Sequence, residues 1–213
     1  MQLIGMLDSP YVRRVAITLQ LLDIPFEHRS ISVFRGFDQF RQINPVVKAP
    51  TLVCDDGSVL MDSTLMLDYA EALAAPNRSL MPSTVPERLQ VLRVIGLALA
   101  ACEKSVQIVY EHNVRPPEKW HQPWLDRVTG QLLAAYAVLE SELQREPPVV
   151  TSRTIDQAGV TAAVVWHFTQ QLLPGVVAGS AHPALQSLSL KAETMLPEFM
   201  AAPHGEGIYP VLA

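Results

Sequence analysis

Residues 44–63 constrain the fold of this chain more strongly than any other stretch of its sequence. Two short β-rich runs, Thr51–Cys54 and Val59–Met61, flank an Asp-Asp-Gly cluster whose glycine, Gly57, tolerates a positive φ. This pattern predicts a β-hairpin. The pair Asp62-Ser63 follows at once and precedes a helical run, so one of these two residues is expected to cap a helix. The stretch therefore predicts a hairpin that leads directly into a helix N-terminus.

The predicted helix start is a candidate site for an anionic ligand. The first amide groups of a helix have no acceptor within the helix, and the helix dipole adds partial positive charge there. A carboxylate bound at this point is therefore stabilised. Pro50 stands at the first residue of the hairpin, where it cannot donate a hydrogen bond to the sheet. Pro50 thus indicates an edge strand or a special backbone geometry, and we expect a small-molecule pocket beside it.

Residues 1–76 alternate strand and helix signals. The apolar run Gln2–Met6 predicts a strand, and Ser9-Pro10 then suits the cap and the first position of a helix. Phe26–Val33 predicts a second strand beside the first, and Arg35–Asn44 predicts a turn with a short helix. With the hairpin and the helix after it, the order of elements becomes β-α-β-α-β-β-α. This order describes a thioredoxin-like α/β domain.

The second part of the chain is predicted to be entirely helical. Residues 77–86 are rich in proline and lack periodicity, which indicates a linker. Four helical patterns follow, over Glu87–Asn113, Pro123–Arg145, Thr154–Leu173 and His182–Phe199. Thr154 and Gln157 have the spacing of a capping box at the start of the third helix. The sequence thus predicts an all-α helical-bundle domain over residues 87–213.

Composition excludes several classes of function. With 49% hydrophobic and 17% charged residues, the chain of 213 residues is predicted to be globular. Its net charge of −5 gives no reason to expect nucleic-acid binding. The longest apolar run, Val94–Cys102, is about half as long as a membrane-spanning helix. No Lys or Arg precedes Arg13 and no signal peptide is expected, so we predict a cytoplasmic protein without a membrane partner.

The residues that commonly bind metals show no ligand spacing. The six histidines are scattered, and the two cysteines, Cys54 and Cys102, form no C-x-x-C pair. Both cysteines are expected to be buried free thiols, which fits a reducing compartment. We therefore expect no metal site.

Taken together, the hairpin and its flanks resemble the glutathione-binding half of the cytosolic glutathione transferases. The segment Asn44–Leu52 fits that family's pattern N-P-x-x-x-(hydrophobic)-P-x-L, and the Asp62-Ser63 pair stands where the family has an acidic residue and a serine. The resemblance implies a cis Ala49–Pro50 bond, a backbone contact from Ala49 to the cysteinyl part of glutathione, and a γ-glutamyl group held by Asp62 and Ser63. Val47, at a position that is often glycine, and Ala49, in place of the commoner valine, depart from the pattern.

The N-terminal segment extends the resemblance. Asp8–Val15 is similar to the family's S-P-[FY]-x-x-[KR]-V motif, which places Ser9 at the thiol-activating position. A hydroxyl at a helix N-terminus favours thiolate by hydrogen bonding and through the dipole. The alternative is that Ser9 only caps the helix. Tyr11 is interpreted as a wall of the pocket or as core, and the lack of a cysteine before Cys54 argues against thiol–disulfide chemistry at this site.

Further candidates carry two interpretations each. Lys48 either pairs with a carboxylate of glutathione or is solvated, and Val106 and Tyr110 either line the pocket for the electrophile or belong to the core. Three arginines are expected to be exposed at the surface or to form a salt bridge, and the alternative is that one of them helps to bind an anion. These are Arg13, Arg14 and Arg35.

The resemblance implies an enzyme that activates the thiol of its co-substrate glutathione for attack on a hydrophobic electrophile in detoxification. The alternatives are a glutathione-dependent isomerase or dehalogenase, or a non-catalytic interaction protein on the same scaffold. The presence of Ser9, Asp62 and Ser63 favours an enzyme. The helix predicted over Glu87–Asn113 is apolar on more than one stripe. Because this family pairs such helices across a two-fold axis, we also expect a homodimer.

Overall fold

The structure of the protein is a computed structural model that describes residues 1–75 and 77–205. The chain folds into two units. The first contains Met1–Met81, Thr151–Thr154 and the described residues from Glu193 onward; the second contains Pro82–Val150 and Ile155–Ala192. The domain boundaries drawn from the sequence, 1–76 and 87–213, remain a prediction, and Pro76 and residues 206–213 lie outside the described residues.

A four-stranded mixed sheet organises the first unit. Its elements are β1 (Gln2–Ile4), α1 (Pro10–Leu21), β2 (Glu27–Arg29), α2 (Phe37–Ile43), β3 (Thr51–Val53), β4 (Val59–Met61) and α3 (Ser63–Leu73). The strand order is β2-β1-β3-β4, with β1 parallel to β2 and antiparallel to β3. The predicted thioredoxin-like order β-α-β-α-β-β-α is confirmed. The sheet and its helices bury apolar residues such as Leu3, Ile4, Val15 and Leu52 between them.

The hairpin forms as predicted. β3 and β4 pair antiparallel, Gly57 has a φ of 85°, and its amide donates to the Cys54 carbonyl at 3.0 Å. Pro50 does not mark an edge, since β3 lies inside the sheet; its special geometry is a cis peptide bond. The second strand is shorter than the predicted Phe26–Val33, because β1, its parallel partner, offers three residues before Gly5 turns the chain at a φ of 137°.

The second unit is helical, as predicted. Its elements are α4 (Val85–Val114), α5 (Gln122–Arg145), α6 (Gln157–Leu172) and most of α7 (Pro183–Met195), with short 3₁₀ turns at Pro117–Lys119 and Gly179–Ala181. The end of α7 and the helix α8 (Pro197–Met200) belong to the first unit. Over the described ranges, no helix combines the length and apolarity that crossing a bilayer requires.

Two of the predicted helices differ most from the structure. Helix α6 begins at Gln157 rather than Thr154, because the Asp156 carboxylate accepts the Gly159 amide at 2.7 Å and makes Asp156 the N-cap. The predicted helix His182–Phe199 is divided into α7 and α8. Proline disfavours a helical conformation in the residue before it, and Leu196 is accordingly extended in front of Pro197.

Arg13 was expected at the surface or in a salt bridge. It is a buried residue of α1, and it forms a salt bridge. Its guanidinium forms two 2.6 Å hydrogen bonds to the Glu193 carboxylate, and its Nε donates to the Ala202 carbonyl at 2.5 Å. The same group lies 5.8 Å from the centre of the Phe199 ring. These contacts attach residues 193–202 to α1 within the first unit.

Removing one partner of this ion pair should destabilise the first unit. We expect Arg13→Met to lower the free energy of unfolding by about 3–5 kcal/mol, because it leaves the Glu193 carboxylate without its bidentate partner. Urea denaturation measures this loss. The matched control is Arg41→Met, which breaks an exposed pair with Asp38 and should change stability by less than about 1 kcal/mol. Equal effects of the two substitutions would contradict this account of residues 193–202.

Candidate functional site

The predicted ligand residues all belong to the first unit. Ser9 begins α1, residues 48–50 precede β3, and Asp62 and Ser63 begin α3. Contacts among these segments connect them. Lys48 Nζ lies 4.0 Å from Asp62 Oδ2, and Arg14 of α1 reaches the first turn of α3. The loop before β3, the start of α3 and helix α1 therefore form one cluster, with Ser9 at the N-terminal end of α1.

Ser9 is the N-cap of α1. Its Oγ accepts the Val12 amide at 3.4 Å, and Pro10 follows at the first helical position. The capping interpretation is thus correct, and it leaves the other interpretation open. A hydroxyl that accepts a hydrogen bond at a cap retains its own O–H as a donor. Ser9, which is partly exposed, can therefore cap the helix and donate to a ligand.

A buried asparagine shapes the loop before β3. Asn44 donates from Nδ2 to Thr51 Oγ1 at 2.8 Å, and its Oδ1 accepts the Val46 amide at 3.0 Å. Thr51 Oγ1 in turn donates to the Lys48 carbonyl at 2.7 Å. These bonds fix both ends of the loop. The Ala49–Pro50 bond within it is cis, so that prediction is confirmed.

Gly5, which the sequence analysis did not single out, lies where three segments of the site meet. A Cβ at this position would lie 2.6 Å from Val12 Cγ2 and 3.1 Å from Ala49 Cβ. Only glycine fits such a close approach, and its φ of 137° also favours glycine. His28 Nε2 lies 2.7 Å from the Gly5 carbonyl, and burial lowers the pKa of this histidine. A glycine directly after an apolar strand was the only signal in the sequence.

The start of α3 resolves which residue caps it. The Asp62 carboxylate accepts the Thr64 amide at 2.9 Å, so Asp62 is the N-cap and Ser63 is the first helical residue. Ser63 is buried, and Arg14 Nη1 donates to its Oγ at 3.2 Å and to Thr64 Oγ1 at 3.3 Å. Arg14 is as buried as Arg13, so a surface position for either arginine was wrong. Arg35 is exposed.

The remaining candidates are less defined. Lys48 is half exposed, and its 4.0 Å approach to Asp62 is a weak surface pair. Tyr11 is partly buried in α1, whereas Val106 and Tyr110 lie on α4 of the second unit, with Tyr110 exposed. Their role as an electrophile pocket stays a prediction. Among the described residues, no group of three or more His, Cys, Asp or Glu side chains is placed to hold a metal ion.

Comparison with known proteins identifies the domain formed by the first part of the chain. Residues 3–78 match the glutathione S-transferase N-terminal domain. A solved structure of a glutathione transferase family member from Pseudomonas fluorescens Pf-5, with bound glutathione, is 28% identical, with a TM-score of 0.81 over 94% of this chain and 97% of that one. The chain therefore carries a glutathione S-transferase N-terminal domain, and its fold is that of the glutathione transferases.

Two curated proteins match part of the chain. The uncharacterized GST-like protein YibF of Escherichia coli (strain K12) is 29% identical over 144 residues, 67% of this chain and 70% of that protein. Glutathione S-transferase U4 of Arabidopsis thaliana is 26% identical over 118 residues, 50% of this chain and 52% of the plant protein. The match thus spans only about half of the plant relative.

Val47 occupies a backbone conformation that its side chain disfavours. Its φ is 53°, in the left-handed region, where a β-branched residue is a genuine outlier. This explains why glycine is common at this position in the family pattern. The Val47 side chain packs partly against Ile4, Ile31 and Phe40, so apolar contacts offset some of the strain.

Because of the strain at Val47, a glycine substitution at this position should leave the protein more stable than an alanine substitution, which is the reverse of the usual order. Both Val47→Gly and Val47→Ala lose the packing, but only alanine retains a Cβ at positive φ. We expect the glycine variant to be more stable by about 1 kcal/mol in urea denaturation. At the exposed neighbour Val46, whose φ is not positive, the alanine variant should instead be the more stable one. If the glycine and alanine variants had the same order of stability at both positions, the interpretation that Val47 is strained would be wrong.

Proposed function

We propose that the protein binds glutathione in its first unit and activates the thiol for attack on a hydrophobic electrophile, in a cytoplasmic detoxification role. The observation that carries this proposal is the cluster formed by Ser9, the Ala49–Pro50 loop and the start of α3. A hydroxyl at one helix N-terminus and a buried serine at another supply donors for a thiolate and a carboxylate. The glutathione bound to the P. fluorescens relative supports the choice of ligand.

In this proposal glutathione lies with its γ-glutamyl carboxylate at the start of α3. Ser63 donates to the carboxylate, and the dipole of α3 adds favourable charge. The backbone of Ala49 pairs with the cysteinyl part, and Asp62 accepts from the γ-glutamyl ammonium group. Because the γ-glutamyl end is remote from the sulfur, these contacts contribute to binding equally in the ground and transition states.

The thiol is activated from the start of α1. Glutathione's thiol is a poor nucleophile while it is protonated, so the site must favour the thiolate. The Ser9 hydroxyl donates to the sulfur anion and keeps its own proton, while the dipole of α1 adds to the stabilisation. The thiol proton passes to solvent, and a sulfur lone pair then forms the new bond to carbon of the electrophile. In a substitution the leaving group departs with its bonding electron pair; in an addition the π electrons of the acceptor move away from that carbon and are protonated by water.

A glutathione-dependent isomerase or dehalogenase would use the same thiolate. One relative is the probable maleylacetoacetate isomerase 1 of Drosophila melanogaster, which is 25% identical over 120 residues. This similarity is a reason to test isomerisation. Assays should therefore cover conjugation, isomerisation and dehalogenation. A non-catalytic interaction protein would show no turnover in any of these assays, even if it binds glutathione.

Replacing Ser9 tests the function directly. We expect Ser9→Ala to lower turnover at saturating glutathione about ten- to a hundredfold, because a hydrogen bond to a charged sulfur is lost. The pKa of the bound thiol should rise in parallel, which ultraviolet titration of the thiolate measures. The matched control is Thr84→Ala, which removes a cap hydroxyl at the same 3.4 Å distance from an amide, at the start of α4.

Turnover of the Thr84→Ala variant should equal that of the unmodified protein. If Ser9→Ala also retained full turnover with the chemical step rate-limiting, another residue would have to activate the thiol. Weaker glutathione binding in calorimetry, with an unchanged pKa of the bound thiol at saturating glutathione, would mean that Ser9 only shapes the site.

We further propose that the protein is a homodimer built on α4. Val91, Val94 and Ile95 of this helix are buried, whereas Leu89 is 68% exposed and Leu92 50% exposed. A second apolar stripe of this kind needs cover from another surface. The two-fold pairing implied by the family resemblance supports this arrangement, and two-fold dimers are the commonest soluble oligomers.

Sedimentation equilibrium tests the dimer. At micromolar concentration we expect a single species of twice the 23.5 kDa chain mass. The double variant Leu89→Glu/Leu92→Glu should shift this species to the monomer, because two buried charges would then face the partner. Leu172→Glu, at an exposed leucine of α6, is the matched control and should leave the mass unchanged. A monomeric unmodified protein would refute the proposal.

A further inference from the structure

A buried guanidinium lies directly behind the proposed γ-glutamyl site. Arg14 projects from α1 and is 1% exposed. Its Nη1 is 3.2 Å from Ser63 Oγ and 3.3 Å from Thr64 Oγ1, so one nitrogen contacts both hydroxyls of the first turn of α3. The two oxygens belong to consecutive residues at the point where an anion would bind.

The chemistry of these contacts sets the direction of the Ser63 hydroxyl. A serine hydroxyl has one O–H donor and two acceptor positions, and it rotates to suit its neighbours. A guanidinium carries only donors. Ser63 Oγ must therefore accept from Arg14, and its own hydrogen points away from the guanidinium. The same reasoning applies to Thr64 Oγ1.

A carboxylate ligand requires this state of the hydroxyl. An ionised carboxylate only accepts hydrogen bonds, so Ser63 can bind it only as a donor. The positive charge of Arg14 also polarises the Ser63 O–H, which strengthens the bond it gives to an anion. Because Ser63 is buried, water screens this effect little.

We propose that Arg14 is a positioning residue, which orients and polarises the Ser63 hydroxyl so that it donates to the α-carboxylate of the γ-glutamyl group. This inference rests on the proposed function, because it assumes that glutathione is the ligand. Arg14 acts through Ser63 and does not itself touch the reacting sulfur. Its effect should therefore fall on glutathione affinity and not on the chemical step.

The neighbouring residue provides a natural control. Arg13 is equally buried on the same helix, but its guanidinium binds Glu193 and the Ala202 carbonyl instead of the start of α3. A substitution at Arg13 therefore perturbs a buried arginine of α1 without changing the partner of Ser63. Arg13→Lys and Arg14→Lys both keep the charge, and Arg14→Met removes it.

Calorimetry with two ligands tests the inference. The first ligand is glutathione, and the second is 4-aminobutyryl-cysteinylglycine, which keeps the amine but lacks the α-carboxylate. For Arg14→Met we expect the Kd of glutathione to rise about tenfold or more, with maximal turnover changed less than about threefold. The Kd of the analogue should be the same for Arg14→Met and the unmodified protein. For Arg14→Lys, the Kd of glutathione should lie between the values of Arg14→Met and the unmodified protein. Arg13→Lys should leave the Kd of both ligands unchanged.

Three other outcomes have different meanings. If the unmodified protein binds no glutathione, both the proposed function and this inference are overturned. If glutathione binds but Arg14→Met weakens both ligands by the same factor, Arg14 is only structural and the inference alone is overturned. If Arg14→Met proves unfolded by circular dichroism, the Arg14→Lys variant decides by the same comparison: a loss confined to glutathione supports the inference, and an equal loss or no loss overturns it.

Discussion

The hydrogen bonds from Arg14 to the first turn of α3 join the two helix starts on which the candidate site depends. Ser9 lies at the start of the helix that carries Arg14, and Ser63 receives the guanidinium at the start of the other. A buried guanidinium must be hydrogen-bonded to be tolerated, so these contacts are specified by the fold as well as by any ligand. One buried side chain therefore connects α1, which begins at Ser9, with the first turn of α3.

Backbone strain surrounds the hairpin between these helices. Val47 and Asp62 both have positive φ, the first before β3 and the second after β4. Non-glycine residues keep a positive φ only where their surroundings hold them in it. Apolar packing holds Val47 in this conformation, and the capping hydrogen bond holds Asp62. The Asp62 carboxylate is thereby committed to the Thr64 amide while one oxygen stays near Lys48. Both strained residues lie in the segments where glutathione is proposed to bind.

The chemistry proposed for the protein needs few side chains. Two helix dipoles, two serine hydroxyls and the backbone of one loop supply nearly every contact, and the described residues contain no metal-binding cluster. The P. fluorescens structure with bound glutathione, at 28% identity, shares the fold that holds these groups.

Local patterns were sufficient to predict the elements that carry the site. The Asp-Asp-Gly turn, the Ser9-Pro10 helix start and the proline before β3 act through the backbone of adjacent residues, so the sequence alone determined the hairpin, the cap of α1 and the element order. Burial of Arg13 and Arg14 could not be predicted in this way, because their partners are 180 and 49 residues away. The close approach of Gly5 to Ala49 likewise depended on tertiary context, whereas the break before Pro197 follows from the local effect of proline on the residue before it. Long-range packing decided which charged groups are enclosed, since only the tertiary structure brings their partners within hydrogen-bonding distance.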